Sequence, residues 1–235
     1  MQLAFSKDKS CDSCPIRHRA VCASCEPDEL SLLDSIKTYR NYEAGQPIIY
    51  AGDKMSFVGS VVTGTATLEQ MLEDGRKQTV GLLLPSDFIG RPGRDAAPYD
   101  VTAVTDVTLC CFQKPRFEEL LRTTPHVAQR LLEMALDELD AARDWMLLLG
   151  RKTAREKIAS FLVMIDKRTS VGQPGNSREI TLPLTREAMS DYLGLTIETV
   201  SRQFSALRKD GLITLQGKRG VTIPDVAALQ DVAGT

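Results

Sequence analysis

The sequence has no long hydrophobic run. Its first ten residues, MQLAFSKDKS, hold no apolar stretch of signal-peptide length, and no later segment is apolar over the roughly 20 residues that a membrane helix needs. We therefore expect a cytoplasmic protein with no membrane partner. Thiols stay reduced in the cytoplasm, so clustered cysteines are expected to bind metal rather than to form disulfides.

The usual signatures of catalysis are also missing. The chain has no P-loop, no Rossmann glycine fingerprint and no set of residues that pairs a nucleophile with a base. Its two histidines, His18 and His126, lie in a loop and at a predicted helix start, where they are poorly suited to acid–base chemistry. We therefore do not expect an enzyme, and an iron–sulfur redox protein remains the alternative function class.

Net charge is small, but the two signs are unevenly distributed. The formal net charge is −2, yet residues 151–223 hold 13 Lys and Arg against 7 Asp and Glu. The remainder of the chain holds 16 against 24. A basic C-terminal part on an acidic body indicates that only this part meets a polyanion.

Short strands broken by glycines are predicted over residues 41–112. The segments include GQPIIYAGD, SFVGSVVTGTATLEQ and YDVTAVTDVTLCCF, in which β-branched residues alternate between Gly and Asp turns. This pattern is typical of an antiparallel barrel or jelly roll. The sequence EDGR predicts the tip of a hairpin, because Asp-Gly accepts positive φ.

A long amphipathic helix is predicted after Pro125, in VAQRLLEMALDELDAARDWMLLLG. Its apolar residues alternate in steps of three and four, as in the seam of a helix pair. We expect two copies of the chain to pair in parallel there, and the alternative is a helix lying on the core of its own domain. Gly150 ends the helix. The predicted seam consists of Leu132, Ala135, Leu139, Ala142, Met146 and Leu149.

A winged helix-turn-helix is predicted near the C-terminus, after a helix in TAREKIASFLVMI and a loop in SVGQPGNS. Two helices about a tight turn are expected in LTREAMSDYLGLTIETVSRQFSALRKDGLI, with Thr185 and Thr196 as N-caps and Gly194 and Gly211 just past the helix ends. The segment ITLQGKRGVTI predicts a hairpin. In this motif the second helix enters the major groove of DNA. Its predicted inward stripe is Ile197, Val200, Phe204 and Leu207.

The outward face of that second helix carries groups that read base edges. Arg202 can bond bidentately to a guanine, and Glu198 can accept from the paired cytosine, so the two side chains together can read one G·C pair. Ser201 can contact an adjacent base, and the alternative is an ordinary solvated face. The predicted DNA-binding set is completed by four further residues: Thr196, Thr199, Lys218 and Arg219.

Four of the six cysteines lie close together in CDSCPIRHRAVCASC, an extension that precedes any regular pattern. The set Cys11, Cys14, Cys22 and Cys25 could hold tetrahedral zinc, although its central gap is shorter than the spacing of about 15–20 residues in zinc ribbons. Thiolates also ligate iron–sulfur clusters, with varied spacing. Alternation along a strand sets the remaining pair, Cys110 and Cys111, on opposite faces, so only one of them can join the others.

The helix-turn-helix, with ETVSR in its second helix, resembles that of the CRP/FNR superfamily of transcription regulators. The roll and the long helix match that family in order and length, so the likeness covers almost the whole chain. The motif CDSCPIRHRAVC resembles the cysteine motif of the FNR branch. By this resemblance we expect an α+β fold: an N-terminal antiparallel β-roll like a cyclic-nucleotide-binding domain, a long dimerisation helix and a C-terminal winged helix-turn-helix.

The resemblance implies a specific function. An oxygen-labile 4Fe-4S cluster is expected on Cys11, Cys14, Cys22 and Cys110. In that family the E-x-x-S-R pattern of the second helix recognises TTGAT half-sites. The resemblance therefore implies a homodimer that binds such sites, controls anaerobic genes and contacts RNA polymerase. The domains expected are a cysteine-rich extension (1–27), the roll (28–124), the dimerisation helix (125–150) and the DNA-binding domain (151–235).

A cyclic-nucleotide sensor is the rival within the superfamily. Its roll binds phosphate through an Arg-Ser-type pair with a Glu nearby. In this chain Arg91 occupies the position of the Glu, and Tyr99 and Asp100 occupy the position of the pair. A carboxylate beside a phosphate repels it, so no cyclic nucleotide is expected as a ligand.

Overall fold

The computed structural model describes residues 10–169 and 175–234. The chain forms two compact units, Met1–Leu139 and Asp140–Thr235, and the boundary falls within one long helix. The predicted loop at 170–177 lies partly outside the described residues. Among the helices that are described, none is long and apolar enough to cross a membrane.

The first unit is a β-roll with helices at both ends. Its two antiparallel sheets have the orders β1-β8-β3-β6 and β2-β7-β4-β5, and the expected jelly-roll class is confirmed. The strands are β1 Lys37–Tyr42, β2 Pro47–Ile49, β3 Phe57–Thr63, β4 Ala66–Met71, β5 Lys77–Leu83, β6 Phe88–Ile89, β7 Asp100–Ala103 and β8 Val107–Gln113. The helices are α1 Pro27–Ile36 and α2 Lys114–Thr123, and a single 3₁₀ turn spans Cys11–Ser13.

Two separate apolar cores form in this unit because strand residues alternate between faces. Along β8, Val107, Leu109 and Cys111 belong to the core around Phe57 and Val101, whereas Cys110 belongs to another core. That second core also contains residues of the N-terminal segment, α1, α2 and the start of the long helix. We therefore call it the outer core, with Ile16, Leu33, Val58, Phe117 and Val127 among its members.

The predicted hairpin between β4 and β5 is present. The backbone N–H of Leu72 donates to the carbonyl of Arg76 at 2.8 Å, and Gly75 takes φ of 85° at the tip. A side chain there would be strained, which is why Asp-Gly suits the turn. Helices α1 and α2 were not predicted, although Glu26 and Glu29 form a capping box at the start of α1 that the sequence displays.

The long helix, α3, spans Pro125–Arg151, one residue beyond the predicted end at Gly150. The second unit continues with α4 Ala154–Thr169, β9 Arg178–Thr181, α5 Arg186–Leu193, α6 Ile197–Lys209, β10 Thr214–Gln216, β11 Gly220–Ile223 and α7 Val226–Ala233. The three strands form one antiparallel sheet in the order β10-β11-β9. Helix α7 was not predicted, although Asp225 caps it with two bonds to backbone N–H groups.

The predicted helix-turn-helix is confirmed in its caps. The Thr185 and Thr196 hydroxyls accept from the backbone N–H of the third residue of each helix, and Gly194 ends α5 in the left-handed conformation. Gly211 follows α6 with φ of 74°. The predicted burial of one inward residue is wrong, because Ile197 is exposed. It is the first residue of α6, and the three later members of its stripe are fully buried: Val200, Phe204 and Leu207.

Candidate metal centre and DNA interface

Cys110 lies in the middle of its sheet, facing the outer core. Its cross-strand neighbours are Tyr39 on β1 and Ser60 on β3. Gly59 beside them is required sterically, because a Cβ there would approach the Cys110 carbonyl oxygen to 2.5 Å. The close approach of the two strands therefore fixes the backbone of Cys110 beneath the N-terminal segment.

Cys111 faces the other way, into the core between the two sheets. Burial raises the pKa of its thiol to about 12, and the charge of Arg40 lowers that pKa. The alternation predicted for the two cysteines is therefore present, and Cys111 faces away from the outer core.

The N-terminal segment forms tight turns, although its sequence shows no regular pattern. Backbone bonds join Cys14 to Cys11 at 3.3 Å, Arg17 to Cys14 at 3.1 Å and Cys25 to Cys22 at 3.2 Å. Three apolar side chains explain this order, because they are buried in the outer core with Cys110: Ile16, Ala20 and Val21.

The charges of neighbouring cysteines affect the pKa of Cys110. Burial raises this pKa most, and the charges of Cys11, Cys14, Cys22 and Cys111 raise it further. Cys25 is different, since burial, Cys22 and Glu29 raise its pKa to about 12 while Arg17 lowers it. Three of the cysteines whose charges act on Cys110 are those that the resemblance implied, and the fourth is Cys111, its neighbour in β8. Among the described residues, no group of three or more His, Cys, Asp or Glu side chains is arranged to hold a single metal ion.

Cys11 is held by a charged pair at the end of α1. Its backbone N–H donates to Asp34 Oδ1 at 2.9 Å, and the Lys37 ammonium lies 3.7 Å from its sulfur and pairs with the same carboxylate. Burial and a hydrogen bond to Asp34 raise the pKa of the Cys11 thiol to about 12, and hydrogen bonds from Cys11 and Lys37 lower that of Asp34 to about 2. A pocket of about 240 Å³ opens beside Cys11.

Helix α3 contacts the cysteine segment through its first turns. Arg130 donates from Nη2 to the carbonyl oxygen of Arg19 at 2.8 Å, and Val127 is fully buried in the outer core. His126 bonds Glu29 of α1 at 2.9 Å. Sequence reasoning missed these contacts, as it missed Lys37, because they join residues far apart in the chain.

The outward face of α6 is exposed and already ordered. Glu198, Ser201 and Arg202 are all exposed. Arg202 donates to the Thr199 hydroxyl at 3.2 Å, and that hydroxyl lies 3.1 Å from the Thr196 hydroxyl. The pKa of Glu198 is lowered by hydrogen bonds from its own backbone N–H and from Thr196. Five of the predicted DNA-binding residues therefore lie within the first two turns of one helix.

The two wing residues differ from each other. Lys218 is exposed at the hairpin tip, whereas Arg219 is partly buried and donates to the Pro183 carbonyl oxygen at 3.0 Å. Its guanidinium is therefore partly committed to holding the wing against the segment before α5. Lys218 is the freer of the two to meet a phosphate.

Helix α3 exposes most of its predicted seam. Leu132 is 61% exposed and Met146 is 65% exposed, and Leu139 is exposed as well. Leu149 differs, since it is partly buried and packs against Gly194. A Cβ atom added at Gly194 would lie 3.7 Å from Cδ2 of Leu149. Two further leucines were missed by the predicted pattern and widen the exposed apolar surface: Leu136 and Leu147.

The chain matches two known domains. Residues 39–124 match the Cyclic nucleotide-binding domain, and residues 156–232 match the Crp-like helix-turn-helix domain. The Transcriptional activator protein FnrL of Cereibacter sphaeroides is 63% identical over 95% of this chain and 92% of its own length. The chain belongs to the CRP/FNR family of transcription regulators. It is a DNA-binding regulator and not an enzyme.

Other members of the CRP/FNR family are similar over comparable lengths. A probable transcriptional activator of Rhizobium leguminosarum bv. viciae is 40% identical over 94% of this chain and 92% of its own. Among solved structures, FixK2 from Bradyrhizobium japonicum superposes with a TM-score of 0.76 at 32% identity, covering 84% of this chain and 97% of that one. The fold of the regulator is therefore that of the family.

Proposed function

We propose that the protein is an oxygen-responsive transcriptional activator that senses oxygen through a 4Fe-4S cluster on Cys11, Cys14, Cys22 and Cys110. The observation that carries this proposal is the packing of Cys110 and the three N-terminal thiols in and against one outer core, where the charges of those thiols raise the pKa of Cys110. As a cluster-loaded dimer it binds TTGAT-type palindromes and controls anaerobic genes. Residues 1–27 form the cluster segment, 28–124 the sensory roll, 125–150 the dimerisation helix and 151–235 the DNA-binding domain.

The donor set fits such a group. Thiolates are soft ligands that favour iron–sulfur clusters and zinc, and no carboxylate is part of the set. Lys37, which is mostly buried beside Cys11, offsets part of the negative charge of the thiolates.

The surroundings of Cys25 support the proposed cluster over the alternative zinc site. A zinc site of four N-terminal cysteines would need Cys25 with the other three. The charges that raise its pKa come from Cys22 and Glu29, whereas Cys11 and Cys14 act on Cys110. On this basis we propose Cys110 rather than Cys25 as the fourth ligand.

The contacts of α3 link the cysteine segment to the helix proposed for dimerisation. When bound, the cluster supplies a redox centre that oxygen oxidises. Metal binding by thiolates is also ordering energy for the segment that holds them. Arg130 donates a hydrogen bond to the carbonyl oxygen of Arg19, three residues before Cys22. The conformation of the cysteine segment is therefore linked to the start of α3.

Dimerisation through α3 accounts for its exposed leucines and methionine. Each such side chain contributes about 1.5–3 kcal/mol when fully buried. A two-fold dimer places its two recognition helices, the α6 helix of each copy, on DNA half-sites about one helical turn apart. Loss of the cluster loosens the dimer and removes that spacing. RNA polymerase is the further partner, since the relatives are activators.

The roll is proposed not to bind a cyclic nucleotide. Asp100 lies in β7, where its carboxylate accepts from the Ala51 backbone N–H at 2.8 Å. A carboxylate held in this way repels a phosphate instead of binding it. The segment therefore stabilises the roll of this chain.

The test follows the absorption of protein purified without oxygen while air is admitted, together with its affinity for a TTGAT palindrome. We expect broad visible absorbance that changes within minutes as DNA binding is lost. Cys110→Ala should abolish the absorbance because it removes the only ligand from the roll. Cys111→Ala and Cys25→Ala are matched controls and should retain it.

A different result would exclude the proposed sensor. A colourless protein that holds one zinc tightly, binds DNA equally well in air and depends on Cys25 would assign the thiols to a structural site. Retention of the chromophore by Cys110→Ala would move the fourth ligand elsewhere.

A further inference from the structure

Ser60 on β3 carries a buried hydroxyl that nothing nearby satisfies. The residue is 2% exposed, and its Oγ has no hydrogen-bond partner among the residues that the structure describes. Leaving a hydroxyl buried and unpaired costs free energy, so native proteins rarely do so without a reason. Elsewhere in the chain the buried Ser190 shows the usual solution, since its hydroxyl donates to the Glu187 carbonyl oxygen at 2.6 Å.

The backbone fixes the direction of this hydroxyl. Ser60 is the direct cross-strand partner of Cys110, and directly opposed residues in an antiparallel pair project to the same face. Its neighbours two residues away, Val58 and Val62, both belong to the outer core with Cys11 and Cys110. The Ser60 side chain therefore points toward the proposed cluster site, away from the core between the sheets.

Within the described part of the chain, the backbone around Ser60 does not provide a hydrogen-bond acceptor for its hydroxyl. Strand β3 lies between β8 and β6, so its carbonyls are used in ladders on both sides. The outer core also contains sulfur, from Cys110 directly opposite Ser60 and from the cysteines of the N-terminal segment. Thiolates and the sulfides of a cluster accept hydrogen bonds, whereas neutral thiols are weak acceptors.

We infer that Ser60 is a positioning residue that donates a hydrogen bond to the sulfur of the group bound at Cys110. The inference rests on the proposed cluster function and deepens it. The hydroxyl is unpaired without the group and paired with it, so the bond contributes only to the loaded state. Lys37 approaches the same set at Cys11, from the end of α1. The two donors thus lie beside different members of the proposed ligand set and come from different elements.

The test compares Ser60→Ala with Ser190→Ala, a buried serine whose hydroxyl is already satisfied. Iron release from loaded protein into a ferrous chelator, without oxygen, is measured by absorbance. Ser60→Ala should release iron about tenfold faster, the usual scale for loss of an outer partner of a ligand. Ser60→Thr keeps the hydroxyl and should restore slow release, and Ser190→Ala should release iron at the wild-type rate.

The second readout is the thermal stability of protein stripped of iron. Ser60→Ala should melt at or above the wild-type temperature, because it removes an unpaired buried hydroxyl, whereas Ser190→Ala should melt lower. Wild-type iron release in Ser60→Ala, or a lower melting temperature of its apoprotein, would overturn the inference. If the wild-type protein itself carries no iron–sulfur chromophore, the proposed function fails first and the inference falls with it.

Discussion

Helix α6, the proposed recognition helix, and the cysteine site differ in whether their polar side chains have hydrogen-bond partners. On α6 the hydroxyls of Thr196 and Thr199 and the guanidinium of Arg202 already bond one another. In the cysteine site the Ser60 hydroxyl has no partner among the described residues, and burial raises the pKa of Cys11 to about 12. The polar groups of α6 are therefore bonded to one another as folded, whereas we propose that a bound ligand supplies the missing partner in the cysteine site.

The difference follows from how each region is assembled. The α6 face comes from seven consecutive residues of one capped helix, so local sequence is sufficient to order it. The cysteine site brings together the N-terminal segment, the end of α1 and two strands of the roll. A site built from distant segments can change when a ligand leaves, which agrees with the sensing role proposed for it.

The largest effect is expected from Leu139→Asp. The change places like charges opposite each other in the proposed dimer seam, so the protein should become monomeric. Affinity for the palindrome should fall about a hundredfold or more, because the second half-site is no longer linked to the first. Sedimentation and DNA anisotropy measure the two effects.

Ala141→Asp is the matched control for the seam. It adds the same charge to an exposed position on the opposite face of α3 and should remain dimeric. The circular dichroism of Leu139→Asp should retain the helix content of the second unit, since α6 is ordered locally. A dimer that survives Leu139→Asp at low concentration would move the interface elsewhere.

An intermediate effect is expected from Arg202→Ala. Loss of a bidentate contact to guanine should cost roughly 1–3 kcal/mol and relax the choice of base at that position. Lys218→Ala provides the comparison, because phosphate contacts carry no sequence information and binding should weaken equally for all sequences. Competition among single-base variants of the palindrome measures both changes. An unchanged preference for guanine in Arg202→Ala would contradict this docking.

The smallest effect concerns the pair that joins α1 to α3. Glu29 raises the pKa of His126 above its ordinary value of 6.5, and His126 lowers that of Glu29 below 4.5. The raised histidine pKa contributes stability that is fully present below pH 6.5 and lost as pH rises through the raised value. The lowered carboxyl pKa contributes stability above pH 4.5 that is lost as pH falls. The pair is thus strongest between these two limits.

Melting temperatures of wild type and His126→Gln across pH measure this contribution. The difference should be small, since both groups are near the surface, and largest near about pH 5.5 before it vanishes at about pH 9. Arg143→Gln, which removes an exposed pair with Asp140 that contains no histidine, should show no such change over the same range. A difference for His126→Gln that persists at alkaline pH would assign it to packing instead.

Sequence alone determined the parts of this protein that depend on local pattern. The caps at Thr185 and Thr196, the turn at Gly194 and the hairpin around Gly75 were all predicted, because each depends on a few adjacent residues. The family and the order of its domains followed from motifs of the same kind.

Only the tertiary structure decided which distant groups meet. It placed Ser60 opposite Cys110, Lys37 against Cys11 and Arg130 on the carbonyl oxygen of Arg19, and it turned Leu149 toward Gly194. It also left Ile197 exposed, although its place in the apolar stripe of α6 predicted burial. A periodic pattern specifies which face of an element is apolar, but strand pairing and packing decide what that face, and each polar group near it, contacts.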